Sequence, residues 1–177
     1  MTGARADMRV GGVIWITGLA GSGKTRLATR VIDLLRSRSA AAVHLDGDVL
    51  RRAMDDHRYD RDSRERLAFC YSRLAWSFAS QGHACVVSTV SLFHSVHAFN
   101  REQGGCYLEV LLDIQQGIRS PKETNHFDGP RVGMEIPAEF PCAPHLVFKN
   151  DMRPETLGEI SLRIADAYEA VHAPLYR

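Results

Sequence analysis

No apolar run in this 177-residue chain approaches the roughly 18 residues that a membrane-crossing helix needs, so no membrane partner is expected. The Met1–Met8 stretch lacks the apolar central segment of a secretory signal, and a cytoplasmic location is the expectation. Neither sign of charge is in excess, with 22 basic residues against 21 acidic. That balance argues against a general polyanion binder, so no nucleic-acid partner is expected and any anion site must be local. The cysteines are few and scattered: Cys70, Cys85, Cys106 and Cys142 share no close zinc or redox spacing. In a cytosolic chain they are expected to be free, mostly buried thiols. Repeats and low-complexity tracts are also lacking. What is present is ordinary, 45% apolar and 24% charged, which rules out general disorder, collagen and coiled coil. A chain of this length makes one domain that buries about 70% of its unfolded surface.

Residues 1–9 read as a flexible leader, and 10–177 as a single domain. Val10–Thr17 is a β-branched apolar run that reads as a buried strand. Lys24–Arg38 carries Leu27, Val31, Leu34 and Leu35 at helical spacing. Ala41–Asp46 reads as a strand and Val49–Met54 as a short helix. A long helix is predicted over Ser63–Ser80, with Ser63 as its N-cap and Gly82 stopping it. Ala84–Val90 is a strand, a helix is expected from Ser91 to Arg101, and Tyr107–Asp113 and Leu146–Lys149 are strands. Arg153–Val171 is a closing amphipathic helix. Strands alternating with helices mean crossover units and a parallel sheet covered on both faces. The stretch from Gln115 to Pro144 breaks that rhythm with five prolines, and a connection this long in a compact domain suggests a lid.

Between the first strand and first helix lies Gly18-Leu19-Ala20-Gly21-Ser22-Gly23-Lys24-Thr25. Its glycines let consecutive backbone N–H groups turn inward around phosphate oxygens, and the helix N-terminus adds its positive dipole end. Gly18, Gly21, Ser22, Gly23, Lys24 and Thr25 are therefore candidate ATP-binding residues, with Lys24 reaching the β- and γ-phosphates and the Thr25 hydroxyl placed for Mg²⁺. Lys149-Asn150-Asp151 is not the Asn-Lys-x-Asp segment with which a GTPase reads its base, and a large motor ATPase would be longer. A small-molecule kinase using Mg²⁺ with ATP as co-substrate fits best.

Asp46-Gly47-Asp48 closes the second strand, and in a parallel sheet the carboxyl ends of the strands form the ligand crevice. Together with Lys24, Asp46 and Asp48 are the candidate catalytic residues, either holding Mg²⁺ through water or taking the proton from an acceptor hydroxyl. A solvated Asp-Gly turn is the bland alternative. Arg51, Arg52, Arg58, Arg61, Arg64 and Arg66 follow, and arginine grips phosphate or sulfate bidentately, so a small anionic acceptor is favoured.

LAGSGKT, then LDGD followed by Arg51, then YDRDSR, resemble the adenylylsulfate (APS) kinase family. Val132-Gly133-Met134-Glu135 is similar to a segment late in that family's lid. The resemblance implies an α/β P-loop kinase: a three-layer sandwich around a five-stranded parallel sheet, with a lid near residues 115–144. It implies transfer of the γ-phosphoryl group of ATP to the ribose 3′-hydroxyl of APS. Asp48, Arg51 and Arg64 would then bind the acceptor, Tyr59 would stack on its adenine and Ser91 would touch its phosphate. From the lid, Arg119 would serve ATP and Lys122 the acceptor.

The chain departs from that pattern on the acceptor side. The family's asparagine after its Asp-Arg pair falls on Leu67, so APS is expected to be a poorer acceptor and Leu67→Asn to improve it. The family's Ser-Pro-Tyr-Arg turn is here Ser91-Leu92-Phe93-His94, and its lid signature is altered around Arg119 and Lys122. The stretch from Thr89 to Glu102 is similar to a divergent branch of cytidine diphosphoramidate kinases, which is the alternative reading. His94, His97 and Asn100 fall there, without a third ligand, so no zinc is expected. A small kinase of another metabolite and a non-catalytic ATP-binding module are the other readings, and a homodimer is left open.

Overall fold

A computed structural model describes residues 11–114 and 129–172. The chain runs β1 (Gly12–Thr17), α1 (Lys24–Ser37), β2 (Ala42–Asp46), α2 (Gly47–Ala53), α3 (Arg61–Ala79), β3 (Ala84–Thr89), α4 (His94–Glu102), β4 (Cys106–Ile114), β5 (Leu146–Asn150) and α5 (Pro154–His172). The five strands form one parallel sheet in the order β2-β3-β1-β4-β5. β1 lies at its centre and is buried along its whole length, as its unbroken apolar sequence requires.

Each face of the sheet has its own core. Ile14 and Ile16 of β1 point to one side and meet Leu27, Val31 and Leu35 of α1 and Leu157, Ile160 and Ile164 of α5. Val13 and Trp15 point to the other side and meet Leu67, Tyr71 and Ala75 of α3 and Val96 of α4. The period of two along β1 thus feeds two layers of helices, giving the expected three-layer sandwich.

Three helix starts differ from the sequence-based expectation by two residues or more. α2 opens at Gly47 rather than Val49, because Asp46 caps it. The N-cap of α3 is Asp60, whose carboxylate accepts from the Ser63 N–H at 2.9 Å, so the helix opens two residues before Ser63. α4 begins at His94 rather than Ser91. Leu92 and Phe93 are both buried, and keeping that segment extended lets it drop both side chains into the core. Of the late connection, residues 129–144 are irregular apart from a bridge between Val132 and Ile136. All four cysteines are free, although Cys142 is exposed and Cys70 only half-buried. Burial pushes the Cys85 thiol up to about 12 and Cys106 to about 11, so neither is a thiolate at neutral pH. No helix among the described residues is long and apolar enough to cross a membrane.

A buried charge stands at the amino end of β4. Glu109 is fully buried, with His97 Nδ1 at 2.9 Å, the Tyr107 hydroxyl donating at 2.9 Å and the Arg101 guanidinium paired to its other oxygen. Burial alone would raise its pKa, but the contacts from His97, Arg101 and Tyr107 outweigh it and the net shift is downward. The unfolded chain therefore binds the extra proton, and this contribution is complete above the ordinary glutamate value of 4.5 and is lost as pH falls below it. Glu109→Ala should lower unfolding free energy by about 3 kcal/mol, because it strands a buried imidazole and a half-buried guanidinium. Chemical denaturation at neutral pH checks the loss, and Glu109→Gln should flatten the acid limb of stability.

Candidate active site

Parallel strands bring all their carboxyl ends to one edge, and the chain reverses direction across the sheet at β1, with β2 and β3 to one side and β4 and β5 to the other. A cavity of about 590 Å³ opens at that edge. Leu19, Ala20, Gly21, Gly23, Lys24 and Thr25 form one wall, Asp46 and Asp48 the back, and Arg51, Tyr59 and Arg64 the far side, while Gly18 and Ser22 of the expected loop lie outside the lining.

The glycine-rich loop is held by packing as well as by its own turns. Gly23 sits at φ 92, and a Cβ there would lie 2.6 Å from Asn150 Nδ2. Asn150 ends β5, is fully buried, and donates to the Ser22 carbonyl at 2.8 Å. Lys24 is only 8% exposed, and its Nζ donates to the Leu19 carbonyl at 2.7 Å and to Ser22 Oγ at 3.4 Å. Those are partners that a phosphate would displace. The lid meets this loop: Gly133, at φ 87, lies so close to Leu19 that a Cβ would come within 2.5 Å of its Cδ2.

Asp46 is held on both oxygens. Oδ1 caps α2 by accepting the N–H groups of Asp48 at 3.0 Å and Val49 at 3.1 Å. Oδ2 accepts the hydroxyls of Thr25 at 2.7 Å and Ser88 at 2.9 Å. Burial pushes its pKa up, the Thr25, Val49 and Ser88 donors pull it down, and the net shift is below the ordinary carboxylate value. Asp48, one step into α2, is exposed and lines the same cavity.

On the far side two guanidiniums lie over the Tyr59 ring, Arg51 at 4.5 Å and Arg64 at 5.1 Å from its centroid. Arg51 donates to the Arg58 carbonyl at 2.5 Å, and Arg64 to the carbonyls of Tyr59 and Pro130 at 2.8 and 2.9 Å. Burial, then the neighbouring Arg51 charge, lowers the Arg64 pKa. Ser91 also lines the cavity, its hydroxyl 2.9 Å from that of Thr89.

Sequence reading and structure part company at several residues. Of the six arginines, Arg51, Arg52 and Arg64 line the cavity. Arg58 and Arg66 instead pair with Asp56 at 2.6 and 2.7 Å, and Arg61 with Glu139 at 2.6 Å. Leu67 is 4% exposed and packed in the core, away from the cavity lining. Leu67→Asn would bury an amide among apolar groups, so the expected gain toward APS is withdrawn. His94 bonds the Phe140 carbonyl and His97 faces Glu109, both outside the cavity lining. Arg119 and Lys122 lie outside the described residues. Missed from sequence were Arg131, Met152 and Ser88 in the lining and Asn150 behind it. Only Asn150 carried a signal, an uncharged polar residue that the period of two sets on the same face of its strand as Phe148.

A glycine loop closing the central parallel strand, joined through Thr25 to a carboxylate from β2 at the sheet edge, defines a P-loop kinase. The family model described as adenylylsulphate kinase matches residues 10–125. A cytidine diphosphoramidate kinase of Campylobacter jejuni is 30% identical over 161 residues, 86% of this chain and 94% of that protein. An adenylyl-sulfate kinase of Paraburkholderia xenovorans is 30% identical over 162 residues, 84% of this chain and 88% of that one. Among solved structures, the Mycobacterium tuberculosis APS kinase CysC in complex with AMPPNP and APS superimposes with a TM-score of 0.76 at 28% identity, covering 90% of this chain and 98% of that one. The chain belongs to the adenylylsulphate kinase family and is an ATP-dependent phosphotransferase.

Gly23→Ala tests the geometry of the loop. It forces a Cβ onto Asn150 in a left-handed backbone, so it should weaken ATP binding at least about tenfold, since even ~1.4 kcal/mol of strain at the bound loop suffices. Calorimetric titration with ATP measures this. Unchanged affinity would mean that the loop's backbone conformation does not matter to the nucleotide.

Proposed function

We propose that the chain transfers the γ-phosphoryl group of MgATP to the ribose 3′-hydroxyl of a nucleotide whose phosphate chain ends in a small cap. The observation that carries this is the far side of the cavity: Arg51 and Arg64, each against the Tyr59 ring, beside Asp48. An aromatic ring beside two guanidiniums suits a ligand that is both planar and anionic. A cytidine diphosphoramidate-type acceptor is the first reading. The Campylobacter relative aligns over 94% of its length, and His94, standing where typical APS kinases carry arginine, turns to Phe140 rather than the cavity. The terminal phosphoramidate carries the same single charge as a sulfate but has an N–H donor in place of one acceptor oxygen, so it asks for one donor fewer from the protein. Adenylylsulfate is the second reading, supported by the Paraburkholderia relative and the CysC fold.

The residues suit the chemistry. Thr25 Oγ1, beside the phosphate loop, would hold Mg²⁺ together with nucleotide phosphates and waters, and Asp46, whose Oδ2 accepts the Thr25 hydroxyl at 2.7 Å, would orient that hydroxyl for the metal. Bound there, Mg²⁺ would neutralise charge on the phosphate oxygens. Lys24 would leave Leu19 and Ser22 for the β- and γ-phosphates. Asp46, its oxygens occupied by four donors and its pKa lowered, stays anionic and orients. Asp48, exposed on the cavity wall, takes the proton of the acceptor hydroxyl as the oxygen attacks phosphorus. The lid turn at Gly133, resting on Leu19, excludes water from the transfer.

Steady-state kinetics with cytidine diphosphoramidate and with APS test the assignment. Asp48→Asn should lower kcat by ~10²-fold or more with little change in the ATP KM. Arg51→Lys and Arg64→Lys keep charge but lose the planar fork, so they should raise the acceptor KM and leave that for ATP almost unchanged. If APS is used more efficiently than the cytidine nucleotide, the second reading replaces the first. If neither is phosphorylated, the acceptor assignment is wrong while the donor site stands.

A further inference from the structure

The register of β2 against β3 sets Ser88 opposite Asp46, and His44 lies two residues before Asp46 on the same face of the strand. Their side chains are linked in series. His44 Nε2 is 2.9 Å from Ser88 Oγ, and Ser88 Oγ donates to Asp46 Oδ2 at 2.9 Å. On the same oxygen the Thr25 hydroxyl donates at 2.7 Å. Ser88 is 3% exposed and His44 half-buried, so water does not readily replace these contacts. The serine has one hydroxyl proton, and it is given to Asp46. The short contact to His44 is then a hydrogen bond only if the imidazole carries a proton on Nε2. The chain of donors therefore has one direction, from His44 through Ser88 to Asp46.

We propose that Ser88 and His44 are positioning residues that hold the Asp46 carboxylate in the orientation needed for the metal of MgATP. This rests on the reading above that Asp46 serves the metal. Without Ser88, Oδ2 keeps only the Thr25 hydroxyl, and that hydroxyl must turn its lone pair outward when it ligates a cation. Asp46 would then be fixed by its capping bonds on Oδ1 and by one hydroxyl whose own position shifts when it ligates the cation. His44 acts one step further back by fixing the direction of the Ser88 proton. Outer partners of this kind typically change metal affinity or activity about 10- to 100-fold when removed.

The experiment is calorimetric titration with a non-hydrolysable ATP analogue across a Mg²⁺ series, without acceptor, for the parent, Asp46→Asn, Ser88→Ala, Ser88→Thr, His44→Leu and His44→Gln. Melting temperature is measured on the same samples. Asp46→Asn and Ser88→Ala should each raise the Mg²⁺ concentration needed for tight binding about tenfold, while binding without Mg²⁺ is unchanged. His44→Leu should shift it in the same direction by less, and Ser88→Thr and His44→Gln, which keep the hydroxyl and an N–H donor, should restore it. A merely structural role would lower melting temperature without this metal-specific split. Nitrogen NMR of the parent should show His44 protonated on Nε2. If Asp46→Asn shifts the Mg²⁺ dependence and Ser88→Ala does not, or if His44 carries its proton on Nδ1, the inference is overturned and the metal role of Asp46 survives. If Asp46→Asn itself has no effect, that role falls and takes the inference with it.

Discussion

Four hydrogen bonds converge on the carboxylate of Asp46, and four elements of the chain meet through it. It ends β2, caps α2, receives the first turn of α1 through Thr25 and is buttressed from β3 by Ser88. A carboxylate can accept this many donors because each oxygen offers two lone pairs and the charge strengthens every bond. The consequence is geometric. The helix carrying Asp48 and Arg51 leaves from the residue that touches the phosphate loop. Any shift of the loop is therefore felt at the Tyr59 side of the cavity.

That far side concentrates positive charge, and the fold manages it with few carboxylates. Asp56 takes Arg58 and Arg66, with Arg51 3.9 Å away, and its carboxyl is held well below the usual range, chiefly by Arg58. Glu139 takes Arg61 and also accepts the first N–H of α4. These pairs tie the turn after α2, the start of α3 and the end of the lid segment into one frame. Arg51 and Arg64 stand beside the cavity with their guanidiniums also bonded to main-chain carbonyls.

Gly133 of the late connection lies close against Leu19 of the phosphate loop. Residues that contact the Tyr59 side, Pro130 and Arg131, flank that turn. The segment is therefore attached to both halves of the cavity at once.

The architecture was legible in the chain because it rests on local periodicity. Unbroken apolar runs make parallel strands buried on both faces, and the crossover helices follow from a 3.6-residue spacing. The phosphate loop was legible for the same reason: its shape depends on glycines at fixed offsets and on the helix that follows. The cap of α3 was misread, since Asp60 and Ser63 are equally good caps until the tertiary fold decides where the helix begins. The supports of the site were not legible. Asn150 reaches the loop from 128 residues away, and Ser88 reaches Asp46 from 42. Leu67 stood next to a motif and turned out to belong to the core. Sequence by itself determined the elements and the phosphate cradle, which depend on near neighbours. Only the tertiary structure decided which arginines face the cavity and what holds Asp46, because strand register and helix rotation select those contacts among distant residues.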